Sequence, residues 1–242
     1  MRYGIFADIH SNLEALEAVL ESYQKEKIDA YFCAGDIVGY GANPSECIAK
    51  MKEMKAVCVA GNHDWAAAEK ISTDKFNDDA KEAVSWTSAQ MNDQEKEFLK
   101  RLTLVDRQKD FIFVHGTLNN PEEFNYLVDF YQLAHSLALM DRAICFVGHS
   151  HVPRIFIERA QGEVKEHKEF VINVESRCRY VVNVGSVGQP RDGNPQASYC
   201  IFDSTKKTIE IKRIAYDIKT AADKILKSGL PSKCASRLNL GR

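Results

Sequence analysis

Short apolar runs that end in polar side chains recur over the first 151 residues of the chain. Five such runs are rich in β-branched and aromatic residues, and they lead into Asp8 to His10, Asp36, Asn62 to Asp64, His115, and His149 to His151. Glycine flanks four of these polar ends. Short apolar runs bounded by glycine are typical of buried strands. Because sites in open α/β sheets lie beyond the carboxyl ends of the strands, we expect the five ends to converge on one cleft.

Two segments between the first three runs have the apolar period of helices. The first covers residues 13–26, and Ser11 with Glu14 forms the pattern of a capping box at its start. In the second, Asn43 followed by Pro44 is typical of a helix N-terminus, and the helix is expected to end near residue 54. The first 64 residues therefore predict a parallel β-α-β-α-β unit.

Charged helical segments follow, and later the pattern changes to strands. Residues 78–102 predict two helices with a break near Asn92 and Asp93. Residues 130–140 predict a third helix, on which His135 is interpreted as structural. Beyond His151 the strand pattern predominates, at residues 154–158, 169–174, 180–184, 198–202 and 208–215. Because these strands are consecutive, we expect them to form a second, largely antiparallel sheet.

The end of the chain is predicted to contain one more helix, over residues 218–226. The tail from Pro231 to Arg242 is expected to be loosely ordered. No internal repeat, low-complexity segment or linker interrupts the sequence. We therefore expect one domain over residues 1–242, with a C-terminal helix and tail at about 217–242.

The composition narrows the classes of function. Apolar residues make up 45% of the chain and charged residues 27%, and the formal net charge is −2. This balance, without a long basic run, gives no general attraction to nucleic acid or to an anionic membrane. There is no signal-peptide pattern and no apolar run of about 20 residues, so we expect a cytoplasmic protein. The seven cysteines include no C-x-x-C pair, which favours buried free thiols over disulfides or a zinc cage.

The polar strand ends carry the residue types that bind divalent metal ions. Asp8 and His10 are two residues apart, so an extended chain points both side chains to the same face. Five of the seven histidines lie in the five motifs. The motifs offer oxygen and imidazole donors for two ions about 3.5–4 Å apart, from Asp8, His10, Asp36, Asn62, His115, His149 and His151. Such a pair of ions is used on phosphoryl groups, and the neutral amide of Asn62 limits the negative charge that an anionic substrate meets.

Two motifs allow more than one interpretation. His63 lies between Asn62 and Asp64, and an imidazole beside a carboxylate suits a general acid for the leaving oxygen of a phosphate. The alternatives for His63 are a further metal ligand or a hydrogen bond within the turn. The glycine-rich segment from Gly185 to Arg191 either cradles phosphate through its backbone N–H groups or is a plain connecting turn.

Taken in order, these motifs resemble the five-block signature of the calcineurin-like metallophosphoesterases. The blocks are Asp8-x-His10, Gly35-Asp36, Gly61-Asn62-His63-Asp64, His115 and Gly148-His149-x-His151. The similarity is greatest to the small single-domain prokaryotic branch of the family, in which the segment from Gly185 to Arg191 also occurs. Each block alone is a weak signal, whereas five blocks in the order of the family are a strong one.

The resemblance implies an α/β (α+β) fold, namely a four-layer αββα sandwich of two mixed β-sheets flanked by helices. It places a dinuclear metal site at the C-terminal ends of the strands. It implies that one ion is held by Asp8, His10, Asp36 and His151, and the other by Asp36, Asn62, His115 and His149. Asp36 would bridge the two ions, and His63, supported by Asp64, would be the acid.

The sequence departs from the larger branches of the family at two arginines. Their Gly-Asp and Asn-His blocks are followed by phosphate-binding arginines, which this chain lacks at both places. Arg191 and Arg154 are the candidate replacements. The departure disfavours a protein phosphatase and favours a small phosphoester as the substrate.

We therefore expect a metal-dependent phosphoester hydrolase that acts on a phosphomonoester or phosphodiester. A hydroxide bridging two divalent ions (Mn, Fe, Zn, Ni or Co) would attack phosphorus, and His63 would protonate the leaving group. The substrate is expected to contact Asn62, His63, Arg191 and Tyr40. A nucleoside or dinucleotide ester is one candidate, since Tyr40 and Tyr126 could stack on a base. The alternatives are a protein phosphatase or nuclease of the same fold, for which no basic track is evident, and a catalytically silent scaffold, which the complete ligand set disfavours. The oligomeric state is not indicated.

Overall fold

The strands of the computed structural model, which describes residues 1–127 and 129–242, form two six-stranded sheets. Across the first sheet the strands lie in the order β3 (Val57–Cys58), β2 (Ala30–Cys33), β1 (Arg2–Phe6), β11 (Ala197–Asp203), β12 (Thr208–Ile214) and β9 (Val171–Asn173). Across the second they lie in the order β4 (Val105–Arg107), β5 (Ile112–Val114), β6 (Ile144–Val147), β10 (Arg179–Asn183), β7 (Arg154–Glu158) and β8 (Val164–His167).

Each sheet is mixed and contains three parallel strands, on one side of the first sheet and at the centre of the second. In the first sheet β1, β2 and β3 are parallel, and β11, β12 and β9 continue antiparallel from β1. In the second sheet β5, β6 and β10 are parallel, and the remaining strands pair antiparallel with them or with each other. The predicted parallel unit over the first 64 residues is confirmed by the pairing of β1 to β3.

Helices cover the outer faces of the two sheets. In the described part of the chain the helices are α1 (Leu13–Glu26), α2 (Pro44–Glu53), α3 (Asn62–Ala67), α4 (Asp78–Gln90), α5 (Asp93–Lys100), α6 (Phe130–Leu139), α7 (Ile218–Lys227) and α8 (Ser232–Leu240), with a 3-10 turn at Pro121–Glu123. The predicted break near Asn92 is confirmed, since Asn92 and Glu95 form a capping box at the start of α5. Within the described residues, none of the helices has the length and apolar character needed to cross a bilayer.

Alternation along the strands builds three layers of core. Ile5 of β1 points between the sheets, where it packs with Phe113 and Phe146 of the second sheet. Its neighbour Phe6 points the other way, into the layer formed with α1. On the far side, α6 packs on the outer face of the second sheet through residues such as Leu133. The predicted sandwich of two mixed sheets between helices is therefore confirmed.

The late strands do not form a sheet of their own, so that expectation is wrong. β9, β11 and β12 extend the first sheet from β1, whereas β7, β8 and β10 complete the second. All seven residues of β11 are buried, as a strand covered on both faces requires, and it therefore pairs centrally, beside β1. Sequence order alone does not reveal such a crossing between sheets.

The other local differences concern short elements. The sequence pattern did not predict β4 and β8, which are three and four residues long and lie at sheet edges with partly exposed side chains. Helix α1 begins one residue later than the capping-box pattern indicates, because Asn12 accepts from the backbone N–H of Ala15. The Ser11 hydroxyl instead accepts from the N–H of Gly39.

The tail is also ordered, contrary to expectation. Residues 232–240 form α8, whose Cys234, Ala235 and Leu238 are buried against α7 and α4. The chain end is then held by a hydrogen bond from the N–H of Gly193 to the carbonyl of Gly241 at 2.9 Å. Tyr40, from the loop after β2, packs in the same apolar cluster as α7 and α8.

Candidate metal centre

Five of the predicted metal-binding residues have left-handed backbone conformations directly after their strands. Their φ angles are 54° at Asp8, 49° at His10, 54° at Asp36, 66° at His149 and 59° at His151. Residues other than glycine rarely adopt this region, at a cost of roughly 1 kcal/mol or more each. The surrounding hydrogen bonds hold these turns in place, such as that from the N–H of His10 to the carbonyl of Asp36 at 3.0 Å. Strained turns that are held by hydrogen bonds and carry ligand-type side chains favour a functional role for these residues.

The first cluster consists of Asp8, His10, Asp36 and His151, all of them buried. Each offers one ligand atom, and these atoms all lie within 4.8 Å of one another. His10 Nε2 is 3.6 Å from Asp36 Oδ2, and His151 Nε2 is 3.4 Å from Asp8 Oδ1. The two imidazoles meet edge to edge, with 3.0 Å between their Nε2 atoms.

The second cluster consists of Asp36, His115 and His149, which are also buried and within 4.8 Å of one another. His115 Nε2 lies 3.2 Å from Asp36 Oδ2 and 2.9 Å from His149 Nδ1. The amide oxygen of Asn62 is 3.2 Å from the same His115 nitrogen. Asp36 thus belongs to both clusters, and the structure brings together all seven residues that the sequence indicated as metal ligands.

Backbone carbonyls determine which nitrogen of three histidines faces the clusters. The Nδ1 atoms lie against the carbonyl oxygens of Val38 for His10 (3.1 Å), Ala34 for His115 (2.8 Å) and Gln189 for His151 (2.6 Å). A carbonyl can only accept, so each Nδ1 carries a proton, and in the neutral imidazole the Nε2 atom presents a lone pair. This is the arrangement in which metal-binding histidines are held.

The donor chemistry fits divalent cations. In the neutral tautomers, the Nε2 lone pairs of His10 and His151 face each other across 3.0 Å, a repulsive contact that a cation between the donors would relieve. The described donors are carboxylate oxygen, amide oxygen and imidazole nitrogen, without a thiolate. Such a set suits Mn, Fe, Co, Ni or Zn. All seven cysteines are free thiols elsewhere in the structure.

The pKa values of the two buried carboxyl groups, Asp8 and Asp36, are shifted in opposite directions. Burial raises the pKa of Asp8, and the neighbouring charge of Asp36 raises it further. Burial would also raise the pKa of Asp36, but the His115 and His63 side chains hold it well below its usual range. For His115, burial acts to lower the pKa, and the carboxylate of Asp36 overrides this and raises the pKa to about 9. The site is thus built to place positive charge around Asp36.

The structure does not show a direct contact by which Asp64 could support His63. The Asp64 carboxylate accepts from the backbone N–H groups of Ile37 (2.8 Å), Val38 (3.1 Å) and Gly61 (3.0 Å). It therefore ties the loop after Asp36 to the start of α3. Within the described residues, the buried Nδ1 of His63 has no hydrogen-bond partner.

The His63 imidazole is instead positioned by packing. Its ring contacts those of His10, Tyr40 and Phe76, with centroid distances of 4.9, 4.5 and 4.9 Å. Burial lowers the pKa of His63 to about 4, against the opposing effect of Asp36. The imidazole is consequently neutral near pH 7 until an anion beside it favours the charged form.

Of the two candidate phosphate-binding arginines, only Arg191 lies at the centre. Its guanidinium is 5.7 Å from the Tyr40 ring centroid and donates to Gln189 Oε1 at 2.8 Å. Its charge acts on Asp8 and on His151. Arg154 lies in β7 and forms a salt bridge with Glu166 at 3.3 Å. This pairing disfavours Arg154 as the residue that binds the substrate phosphate.

Two further expectations can be compared with the geometry. Tyr40 is only 5% exposed and its ring packs on His10 and His63, so its face is not available for a base. In the segment from Gly185 to Arg191, backbone N–H groups donate to groups within the protein, for example to the carbonyl oxygens of Ala7, Asp8 and His151. It behaves as a structural turn whose carbonyl at Gln189 orients His151, and its amides do not cradle phosphate. Sequence reasoning missed this role of Gln189, for which no motif gives a signal.

Two mixed sheets with a buried His/Asp cluster at their strand ends define the class of metal-dependent phosphoesterases. The sequence model of the calcineurin-like phosphoesterase superfamily domain matches residues 1–207, and the chain belongs to this family. It is 43% identical to an uncharacterised protein of Methanocaldococcus jannaschii over 99% of this chain and 98% of that protein.

Solved structures agree with this assignment. A metallophosphoesterase from Sphaerobacter thermophilus superposes with a TM-score of 0.88 at 36% identity, covering 100% of this chain and 99% of that one. A hypothetical protein from Pyrococcus horikoshii superposes with a TM-score of 0.82 at 20% identity, over 100% and 98% of the two chains, and shows the same fold.

Proposed function

We propose that the protein hydrolyses a small phosphomonoester or phosphodiester with the help of two divalent cations, in the cytoplasm. The observation that carries this proposal is the position of Asp36, whose carboxylate belongs to both buried clusters. Asp8, His10 and His151 would complete one cation site, and Asn62, His115 and His149 the other. The seven free cysteines favour a reducing compartment.

The residues of the chain have distinct roles in this proposal. Cations held here would act as Lewis acids on the phosphoryl oxygens and lower the pKa of water. Arg191 supplies a further positive charge for the phosphate, and the neutral amide of Asn62 adds no repulsion. Tyr40 forms the wall behind His63. We assign the proton for the leaving oxygen to His63, whose pKa rises when a phosphate anion lies beside the ring.

The burial of the centre supports a small substrate over a folded protein. His10, Asp36 and His151 are each at most 2% exposed, and His63 is 5% exposed. A phosphoryl group on a slender carrier reaches such a site more readily than a phosphorylated residue within a protein surface. The formal charge of −2 gives no support to a nuclease.

The experiment separates proton transfer from metal binding. We expect His63→Ala to retain the wild-type metal content and to lower kcat by roughly 10²–10⁴ for an alkyl phosphoester. The loss is expected to be much smaller for a p-nitrophenyl ester, because p-nitrophenolate leaves without protonation. His135→Ala, on α6, is the matched histidine control. Equal losses with both esters contradict the acid role of His63.

Asp36→Asn tests the cation sites themselves. We expect its metal content, measured by mass spectrometry of the purified protein, to fall below that of the wild type, together with the activity on both esters. Wild-type protein that takes up no Mn, Fe, Co, Ni or Zn and hydrolyses no phosphoester would refute the proposal.

A further inference from the structure

A half-exposed tyrosine lies directly against the second cluster. The ring of Tyr126 is parallel to that of His149, with centroids 3.9 Å apart and an interplanar angle of 14°. His149 is 6% exposed, whereas Tyr126 is 47% exposed. One face of the phenol is thus covered by a metal-binding imidazole, while nearly half of the residue is exposed.

The loop that carries Tyr126 is fixed to the centre at several points. Phe124 packs edge-on against Trp65, with centroids 5.8 Å apart, and lies 6.1 Å from the His115 ring. Gly116 lies so close to the loop that a Cβ there would come within 2.6 Å of the Asn125 carbonyl oxygen. These contacts therefore hold the ring of Tyr126 in a fixed position beside the metal centre.

Positive charge lies beside this aromatic surface. The Arg191 guanidinium lies 5.7 Å from the centroid of the Tyr40 ring and donates to Gln189 Oε1 at 2.8 Å. Arg191 is therefore close to Tyr40, whose ring packs on His10 and His63. Its backbone N–H also donates to the carbonyl of His151 at 3.2 Å, which keeps the arginine beside the first cluster. A ligand that reaches the centre thus meets the Arg191 guanidinium at the first cluster and the half-exposed Tyr126 ring at the second.

We propose that Tyr126 stacks on the base of the substrate, so that the preferred substrates are nucleoside phosphoesters. This inference rests on the proposed function, since the phosphoryl group must sit at the metal centre. Every nucleobase has a π-face, and stacking on an aromatic side chain strengthens binding without selecting one base. The negative charge of a nucleotide matches Arg191, and its planar base matches the exposed phenol.

The test compares two phosphomonoesters that differ only in the base, adenosine 5′-monophosphate and ribose 5-phosphate, together with the methyl ester of each as the diester. The reacting phosphate and the primary 5′ oxygen of the sugar are then chemically the same within each pair. We expect the metal-loaded wild type to bind and turn over the base-bearing member about tenfold better, by calorimetric Kd and by kcat/KM. Tyr126→Ala should reduce this ratio to near one, and Tyr126→Phe should keep it. Tyr131→Ala, an exposed tyrosine on α6, is the matched control and should keep the ratio.

The outcomes distinguish this inference from the proposed function. Equal binding of the base-bearing and base-free esters by the wild type overturns the stacking inference, as does a ratio that survives in Tyr126→Ala. If the binding ratio behaves as expected but no ester is hydrolysed, the hydrolase function fails and the base-binding role of Tyr126 stands.

Discussion

At the scale of single residues, two glycines are required beside the buried carboxylates because a Cβ at either position would clash with a carboxylate. A Cβ on Gly61 would overlap the side chain and the backbone nitrogen of Asp36. A Cβ on Gly148 would approach Asp8 Oδ2 to 2.6 Å. The glycines of the Gly-Asn-His-Asp and Gly-His-x-His motifs are thus explained by the space beside the ligands.

This predicts the effect of Gly61→Ala. The backbone of Gly61 has φ −95°, which alanine tolerates, so the cost comes from displacing Asp36. We expect a loss of about 1–3 kcal/mol in the free energy of unfolding and a reduced metal content. Urea denaturation and metal analysis measure the two effects. Gly162→Ala is the control for metal content alone: nothing lies within 4 Å of its Cβ, so it should keep the full metal content, whereas its φ of 78° makes alanine costly for stability there. Full metal loading of Gly61→Ala would contradict the steric explanation.

Most of the metal centre could be predicted from residue types, and the part that could not depends on distant hydrogen bonds. Asp8, Asp36 and the histidines were recognisable because carboxylates and imidazoles follow short apolar strands beside glycine. The orienting carbonyls of Val38, Ala34 and Gln189 were not, because every residue has a carbonyl and the partners are up to 81 residues apart. For the same reason the sequence placed Asp64 beside the His63 imidazole, whereas its carboxylate binds backbone amides.

At the scale of elements, long periodic segments were predictable and short ones were not. The spacing of apolar residues identifies α1 and α4 as helices and the parallel segments as strands without ambiguity. Strand β8 has only four residues, Val164 to His167, most of them polar, so no alternation is visible. Helix α8 has nine residues after Pro231, too few for periodicity to distinguish it from a loose tail.

The packing of α8 predicts a clear contrast between two of its leucines. Leu238 is 3% exposed and Leu240 is 55% exposed, two residues further along the same helix. We expect Leu238→Ala to lower the free energy of unfolding by about 2–4 kcal/mol, since the buried side chain leaves a cavity. Leu240→Ala should change it by less than about 0.5 kcal/mol. Denaturant titrations of both variants provide the comparison, and equal effects would mean that α8 does not dock as described.

At the scale of the whole molecule, the metal centre joins the two sheets. Asp8, His10, Asp36 and Asn62 follow strands of the first sheet, whereas His115, His149 and His151 follow strands of the second. Each cluster therefore draws donors from both sheets. Bound cations would crosslink the carboxyl ends of the sandwich, in addition to the apolar layer between the sheets.

Removal of metal should therefore destabilise the fold. Ions present at about 100 times their Kd stabilise the folded state by about 2.7 kcal/mol, which corresponds to roughly 5–10 °C in Tm for a chain of this size. We expect a strong chelator to lower the Tm of the wild type by about that amount, measured by calorimetry. The Asp36→Asn variant should respond much less. An unchanged Tm on chelation of metal-loaded protein would show that the sheets do not depend on the ions.

The docking of the C-terminus has a practical consequence for anyone who makes this protein. Gly241 is bonded to the turn that follows Arg191, and α7 and α8 pack behind Tyr40, which contacts His63. An affinity tag or fusion partner attached after Arg242 would begin next to the hydrogen bond of Gly241 and next to the helices that pack against Tyr40. The N-terminus precedes β1 at the edge of the sandwich opposite the polar strand ends, so purification handles placed before Met1 are the safer choice for kinetic work.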